Sequence, residues 1–172
     1  MESLSRGAAR VLFVEKNGKA IGILRNNLQS LGDEAFERGV VIKADAWDPP
    51  VMHRSLFGAA RDEDADADAE TDGGAEVEIA PDIIFLDPPY SMVAEDPVKS
   101  MARARRLLDR TADKGCVLFH FERGVLDEDD FDSNLDVDLR EWGTSVVAML
   151  WREGDAPAAV YKRRAKERAK GN

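Results

Sequence analysis

Cross-linking and metal-binding residues are scarce in this 172-residue chain, which holds one cysteine, Cys116, and two histidines. A lone thiol closes no internal disulfide, and no Cys/His cluster has zinc-ligand spacing. A disulfide-stapled secreted scaffold and a structural zinc are therefore both excluded, and no metal is expected. No apolar run approaches the ~20 residues of a membrane span, and the opening Met1-Glu2-Ser3-Leu4 lacks the basic-then-apolar form of a signal peptide. The expectation is a cytoplasmic, monomeric domain with no membrane partner. Neither an internal repeat nor a Gly-x-Gly-x-x-Gly fingerprint occurs, so a nicotinamide-binding role ranks last. Apolar residues, at 44%, are present in an ordinary globular share, which rules out global disorder.

A net charge of −10 would normally argue against a nucleic-acid partner, because phosphates attract Lys and Arg. Its distribution weakens that argument. Residues 62–72 carry seven acids and no base, and without them the balance is −3. From Lys162 to Lys170 six bases face one acid, Glu167, for a net +5. The overall balance therefore says little about any working face. Residues 61–80 read as an acidic solvated insertion, because an alternating Asp-Ala run cannot bury enough apolar surface to order itself. Residues 153–172 read as a basic C-terminal tail, either solvated or touching RNA backbone, and residues 1–152 as the folded domain.

Within that domain Val11-Leu12-Phe13-Val14 predicts a buried strand, and Ala20, Ile23, Leu24, Leu28 and Leu31 fall at helical spacing before Gly32. Val40-Val41-Ile42 predicts a second strand. Pro49-Pro50 then interrupts, and Val51 to Ala60 has room for one short amphipathic helix. Ile83 to Leu86 predicts a buried strand. A helix follows from Asp96 to Arg110, with Val98, Met101, Leu107 and Leu108 inward. Gly115 to Phe121 is a fourth strand, and Leu135–Trp142 with Thr144–Trp151 form an antiparallel hairpin about Gly143. Alternation of apolar strands with helices implies a doubly wound α/β sheet, covered on both faces.

In such sheets ligands bind beyond the carboxyl ends of the strands. Glu15, Asp45 and Asp87 each follow a strand. A carboxylate there suits the two hydroxyls of a ribose, although any one of the three taken singly also reads as a turn residue. Asp87-Pro88-Pro89-Tyr90 is more specific. Two prolines remove the local N–H donors, so carbonyl oxygens dominate that surface. The Asp87 carboxylate and the Pro88 carbonyl together can accept both hydrogens of an exocyclic amine and turn its lone pair toward an electrophile. Tyr90 offers a flat face to an unpaired base.

These segments resemble the RsmD-type 16S rRNA guanine-N2 methyltransferases. The matching pieces are Glu2 to Ala8, Val11 to Lys16, Asn26-Asn27-Leu28, Lys43 to Ala46, Asp82 to Tyr90 and Trp142 to Val147. The resemblance implies a Rossmann-like class I methyltransferase fold using S-adenosyl-L-methionine. It implies that Glu15, with Lys16, holds the cofactor's ribose, and that Asp45, with Ala46, holds its adenine. Asp87, Pro88, Pro89 and Tyr90 would form the target-amine pocket, with Asp87 also bordering the cofactor. The implied partner is small-subunit ribosomal RNA or the assembling subunit. The family's first strand and its glycine-rich loop have no counterpart in these residues, so the expected sheet lacks its first strand.

Two further readings compete with this one. Adenine-N6 methylation of DNA or amide methylation of a protein glutamine shares the Asp/Asn-Pro-Pro-Tyr/Phe chemistry, but Asp at position 87 and the Glu2–Ala8 segment favour RNA. A non-catalytic remnant draws support from the missing glycine loop. Elsewhere, His120 reads as a satisfied core or edge histidine rather than a base, Cys116 as a small buried residue, and Trp142 and Trp151 as packing. Arg103, Arg106 and Arg110 share a helix face that is either solvated or a phosphate contact.

Overall fold

The computed structural model describes residues 1–57 and 77–168, and the acidic run 62–72 lies outside the described residues. The chain divides into two compact units, Met1–Ile79 and Ala80–Asn172.

The first unit begins with α1 (Glu2–Ser5), β1 (Val11–Glu15), α2 (Gly18–Ser30), α3 (Asp33–Arg38) and β2 (Gly39–Lys43). The two strands pair in parallel, with Val11 opposite Gly39 and Glu15 opposite Lys43. Asn17 starts α2 because its side-chain oxygen accepts the N–H groups of Lys19 and Ala20 at 2.9 and 3.2 Å, satisfying donors that the first helical turn leaves free. Ile21 and Leu28, seven residues apart, share the buried face of that helix. Leu4, Leu28 and Ala35 form the core here, against Val11, Phe13, Phe36 and Val41. Gly39 is where β2 meets α2. A Cβ there would lie 2.6 Å from Leu28 Cδ2 and 3.2 Å from the Ala35 carbonyl oxygen, so a side chain would push the elements apart. Helix α3 has no counterpart in the sequence reading. Its six residues include four charged ones, too short and too polar a stretch to show periodicity, and it is pinned by the burial of Ala35.

The helix expected over Val51 to Ala60 is absent from its described part, where only one 3₁₀ turn forms, Arg54–Leu56. Residues 77–79, assigned to the solvated insertion, are the reason. The Arg54 N–H donates to the Val77 carbonyl at 2.9 Å and the Ile79 N–H to the Met52 carbonyl at 2.6 Å, an extended pairing that competes with helical bonds.

The second unit contains β3 (Ile83–Leu86), α4 (Tyr90–Glu95), α5 (Pro97–Leu108), β4 (Cys116–Glu122), β5 (Leu135–Trp142), β6 (Ser145–Arg152) and α6 (Ala158–Arg168). Its sheet runs β3-β4-β6-β5, with β3 parallel to β4 and the other pairs antiparallel. The hairpin forms as expected, with Gly143 at φ +61° closing the turn. Among the described residues the strands make two sheets, and β1 and β3, the strands that would flank the absent first strand of the expected sheet, each pair along one edge only. Apolar runs identify strands without identifying their neighbours.

Burial follows strand alternation. On β4 the side chains of Val117, Phe119 and Phe121 are fully buried and those between them are half-buried. Strand β3 is a correction to the reading of a buried strand. Leu86 is buried, but Ile83 and Phe85 are 50% and 63% exposed, because only one side of β3 is covered. Val98, expected inward, is 71% exposed. It lies two positions, about 200° of helical rotation, from Ser100, which heads the buried stripe of α5 with Ala104, Leu107 and Leu108.

The basic segment is not a tail as far as Arg168: it folds as α6. Ala156 and Val160 pack on Trp151, and Arg163 pairs with the buried Asp138 carboxylate. Arg164 pairs with Glu128 and lies 3.9 Å from Asp136. Asp136 also accepts the Gly154 N–H at 2.8 Å and the Tyr161 hydroxyl. Asp136 and Asp138, two apart on β5, share one side of the strand and so meet successive cations of one helix turn. The hydrogen bond to Asp136 raises the Tyr161 phenol above its ordinary range, with partial desolvation and the carboxylate's charge adding to it. The protonated phenol is the anchored form. This contact is therefore at full strength below the ordinary phenol value of about 10 and is lost as pH rises beyond it. Tyr161 is expected to titrate late in an ultraviolet titration, and Tyr161→Phe should remove that late step. A wild-type titration unchanged by Tyr161→Phe except in amplitude would show the anchor to be wrong.

Candidate functional site

Two groups of residues sit at the carboxyl ends of strands, one in each unit. In the first unit Glu15 ends β1, and Asp45 follows β2 by two residues. The Ala44 N–H donates to the Glu15 carbonyl at 3.2 Å, which holds the two strand ends together. Each carboxylate spends one oxygen on its own turn. Glu15 Oε1 accepts the Asn17 N–H at 2.7 Å, and Asp45 Oδ1 accepts the Trp47 N–H at 2.9 Å. Their second oxygens have no partner among the described residues. Lys16 and Ala46 lie in these same two turns, both exposed.

In the second unit Asp87 follows β3, and Pro89 is the N-cap of α4, whose first residue is Tyr90. The Pro89 carbonyl is engaged by the Met92 N–H at 3.0 Å and, more loosely, by that of Val93. No N–H among the described residues reaches the Pro88 carbonyl, although Pro88 is buried. Of the two proline carbonyls in the carbonyl-rich surface after the strand, that of Pro88 is therefore the unengaged one.

The element missed by sequence reasoning is His120. Its Nδ1 lies 2.6 Å from Asp87 Oδ1 and its Nε2 lies 2.8 Å from Tyr90 Oη. Tyr90 Oη lies in turn 2.7 Å from Ser145 Oγ. The Tyr90 and His120 rings meet edge to face, with centroids 5.1 Å apart. The histidine is satisfied, as expected, but by the residues of the site itself. Strand register was the signal that could have found it. Leu86 on β3 pairs with Phe119 on β4, so the residues that follow them, Asp87 and His120, come level.

The structure brings Asp87, Pro88, Pro89 and Tyr90 together with His120 and Ser145 in one unit, and Glu15, Lys16, Asp45 and Ala46 together in the other. Trp151 is buried, in line with a packing role, but Trp142 is 61% exposed at the end of β5 and is not packing. Arg103 and Arg110 are half-buried and only Arg106 is exposed, so these three do not present one solvated face. Cys116 is half-buried rather than buried, and desolvation raises its thiol pKa, which keeps it protonated and a poor nucleophile. Among the described residues no three His, Cys, Asp or Glu side chains converge as metal ligands, and no helix is long and apolar enough to cross a membrane.

A family model described as "Conserved hypothetical protein 95" matches residues 1–49. No curated protein is significantly similar in sequence. Among solved structures, a conserved hypothetical protein of Streptococcus pyogenes is similar at 21% identity and TM-score 0.59, over 90% of this chain and 78% of that one. The Escherichia coli protein yhhF, described as a "putative methyltransferase", is similar at 18% identity and TM-score 0.54, over 88% and 67%. TrmN from Thermus thermophilus is similar at 17% identity and TM-score 0.55, over 88% of this chain and 39% of its own.

Proposed function

We propose that the chain, whose mixed α/β fold is similar to that of these solved structures, transfers a methyl group from S-adenosyl-L-methionine to an exocyclic amine, the N2 amine of a guanine in small-subunit ribosomal RNA. The observation that carries the reading is the pair of acceptors at the end of β3. Asp87 Oδ2 has no partner among the described residues, and neither has the Pro88 carbonyl oxygen. Two adjacent acceptors without donors match the two hydrogens of an amine. Accepting both holds the amine nitrogen so that its lone pair leaves conjugation with the ring. Tyr90 supplies the face on which the base stacks.

The donor set of the first unit fits the cofactor's nucleoside. Glu15 and Asp45 each keep one carboxylate oxygen free at the carboxyl end of a parallel strand, which suits ribose hydroxyls and the adenine amine respectively. Lys16 and Ala46 complete those turns. When bound, the cofactor supplies a methyl group already activated on its sulfonium, so the chain needs no strong base before transfer. Asp87 Oδ2, hydrogen-bonded to the amine, is placed to receive the proton that the amine gives up.

Support for guanine N2 in ribosomal RNA over other amines comes from the resemblance of Glu2–Ala8 and of Asp82–Tyr90 to the RsmD-type enzymes. The test is transfer of labelled methyl from S-adenosyl-L-methionine to small-subunit RNA or assembling subunits lacking the modification. Single-stranded DNA and a glutamine-containing peptide serve as competing acceptors. Label in RNA alone supports the reading, and label in DNA or peptide alone replaces it.

A further inference from the structure

We infer that His120 is a positioning residue, which orients the Asp87 carboxylate and the Tyr90 ring as one hydrogen-bonded assembly anchored at Ser145. This rests on the amine-methylation reading of the same site. An ionised carboxylate has no proton to give, so at the 2.6 Å contact His120 Nδ1 donates to Asp87 Oδ1. In the neutral ring Nε2 then carries only a lone pair, and the Tyr90 hydroxyl donates to it across 2.8 Å. The Tyr90 oxygen, its proton spent, accepts from Ser145 Oγ at 2.7 Å. The donors thus run in one direction, from Ser145 through Tyr90 and His120 to Asp87.

Four elements contribute one member each: β6, the start of α4, β4 and the turn after β3. That matters because the Asp87 side chain is 75% exposed and, without a partner, would sample several rotamers. His120, at 28%, is the less exposed member and is fixed by the sheet. By taking Oδ1 it leaves one defined oxygen, Oδ2, for an incoming amine. Its other nitrogen holds the Tyr90 hydroxyl, and with the edge-to-face ring contact this sets the plane on which a base would stack. One imidazole therefore couples the acceptor of the amine to the platform of the base.

The arrangement predicts an asymmetry between two conservative variants. In His120→Asn the amide nitrogen falls near the position of Nδ1 and keeps the bond to Asp87. In His120→Gln the longer amide reaches the position of Nε2 and keeps only the bond to Tyr90. Losing a hydrogen bond to a charged group is expected to lower kcat roughly ten- to a hundred-fold in His120→Leu, with cofactor Kd unchanged. His120→Asn should recover most of that kcat, whereas His120→Gln should recover little of it and instead restore KM for RNA. A purely structural histidine would give no such split between kcat and KM.

A second readout does not depend on turnover. The chain has only two histidines, so long-range nitrogen–proton spectra resolve the His120 ring. The wild-type ring should be the Nδ1-protonated tautomer, and Asp87→Ala should abolish that preference. Loss of the preference, with kcat recovered in His120→Asn, is the expected result. An unchanged tautomer in Asp87→Ala, or wild-type kcat in His120→Leu, would overturn the positioning role while leaving amine methylation standing. Absence of methyl transfer by the wild-type chain would instead count against the methylation reading, and the tautomer shift alone would then decide the role of His120.

Discussion

Replacing Asp87 with alanine is expected to lower kcat for amine methylation by roughly 10- to 150-fold, from the ~1.5–3 kcal/mol that a hydrogen bond to a charged group contributes. The loss should fall on kcat, because the acceptor matters most when the amine nitrogen develops positive charge and gives up its proton. Cofactor binding should change little, since Glu15 and Asp45 carry the nucleoside contacts in the proposed site. The effect should also exceed that of any single change at His120, which acts through Asp87. Asp87→Asn is the sharper comparison. It keeps the shape and one acceptor but replaces the other oxygen with a donor that faces either His120 Nδ1 or the amine, and one of those contacts becomes repulsive. Rate and cofactor affinity measured on the same preparations separate the two effects. Equal kcat in wild type and Asp87→Ala would remove Asp87 from the chemistry.

The second large effect is structural and lies away from the site. Asp138 is 2% exposed and pairs with Arg163 and, at 3.1 Å, with Arg140. Asp138→Ala removes the buried acceptor of two arginines that are themselves 26% and 45% exposed, so the loss is that of hydrogen bonds to a charged group, about 1.5–3 kcal/mol. For a chain of this size that lowers the melting temperature by roughly 3–12 °C. The double change Asp138→Leu with Arg163→Met should cost much less, because both charges leave together and apolar volume replaces them. Thermal unfolding of the three proteins decides the matter. A melting temperature unchanged in Asp138→Ala would mean that α6 is not anchored through this pair.

Much of the fold was legible because its elements carry strong local signals. Asp96-Pro97 at the start of α5 and Gly143 between two alternating runs both dictate backbone geometry within a few residues. What was not legible depends on pairing between distant segments. The exposure of Ile83 and Phe85 reflects which side of β3 is covered, and composition gives no hint of that. The bases of α6 read as a solvated tail because the acids that receive them, Asp136 and Asp138, lie more than twenty residues earlier. The site divides the same way. Asp87-Pro88-Pro89-Tyr90 is a contiguous motif and could be read directly. His120 and Ser145 join it only through the register of β3 with β4 and of β4 with β6, where Glu122 stands opposite Ser145.

Nucleoside analysis of the RNA product is the most direct test of the proposed methylation of a guanine N2 amine by this chain. Small-subunit RNA lacking the modification is incubated with the chain and S-adenosyl-L-methionine, digested to nucleosides and resolved by mass and retention. N2-methylguanosine is expected with the wild-type chain, and a strongly reduced yield with Asp87→Ala. Methylation at another base or at a ribose, or an equal yield of N2-methylguanosine from Asp87→Ala, would contradict it.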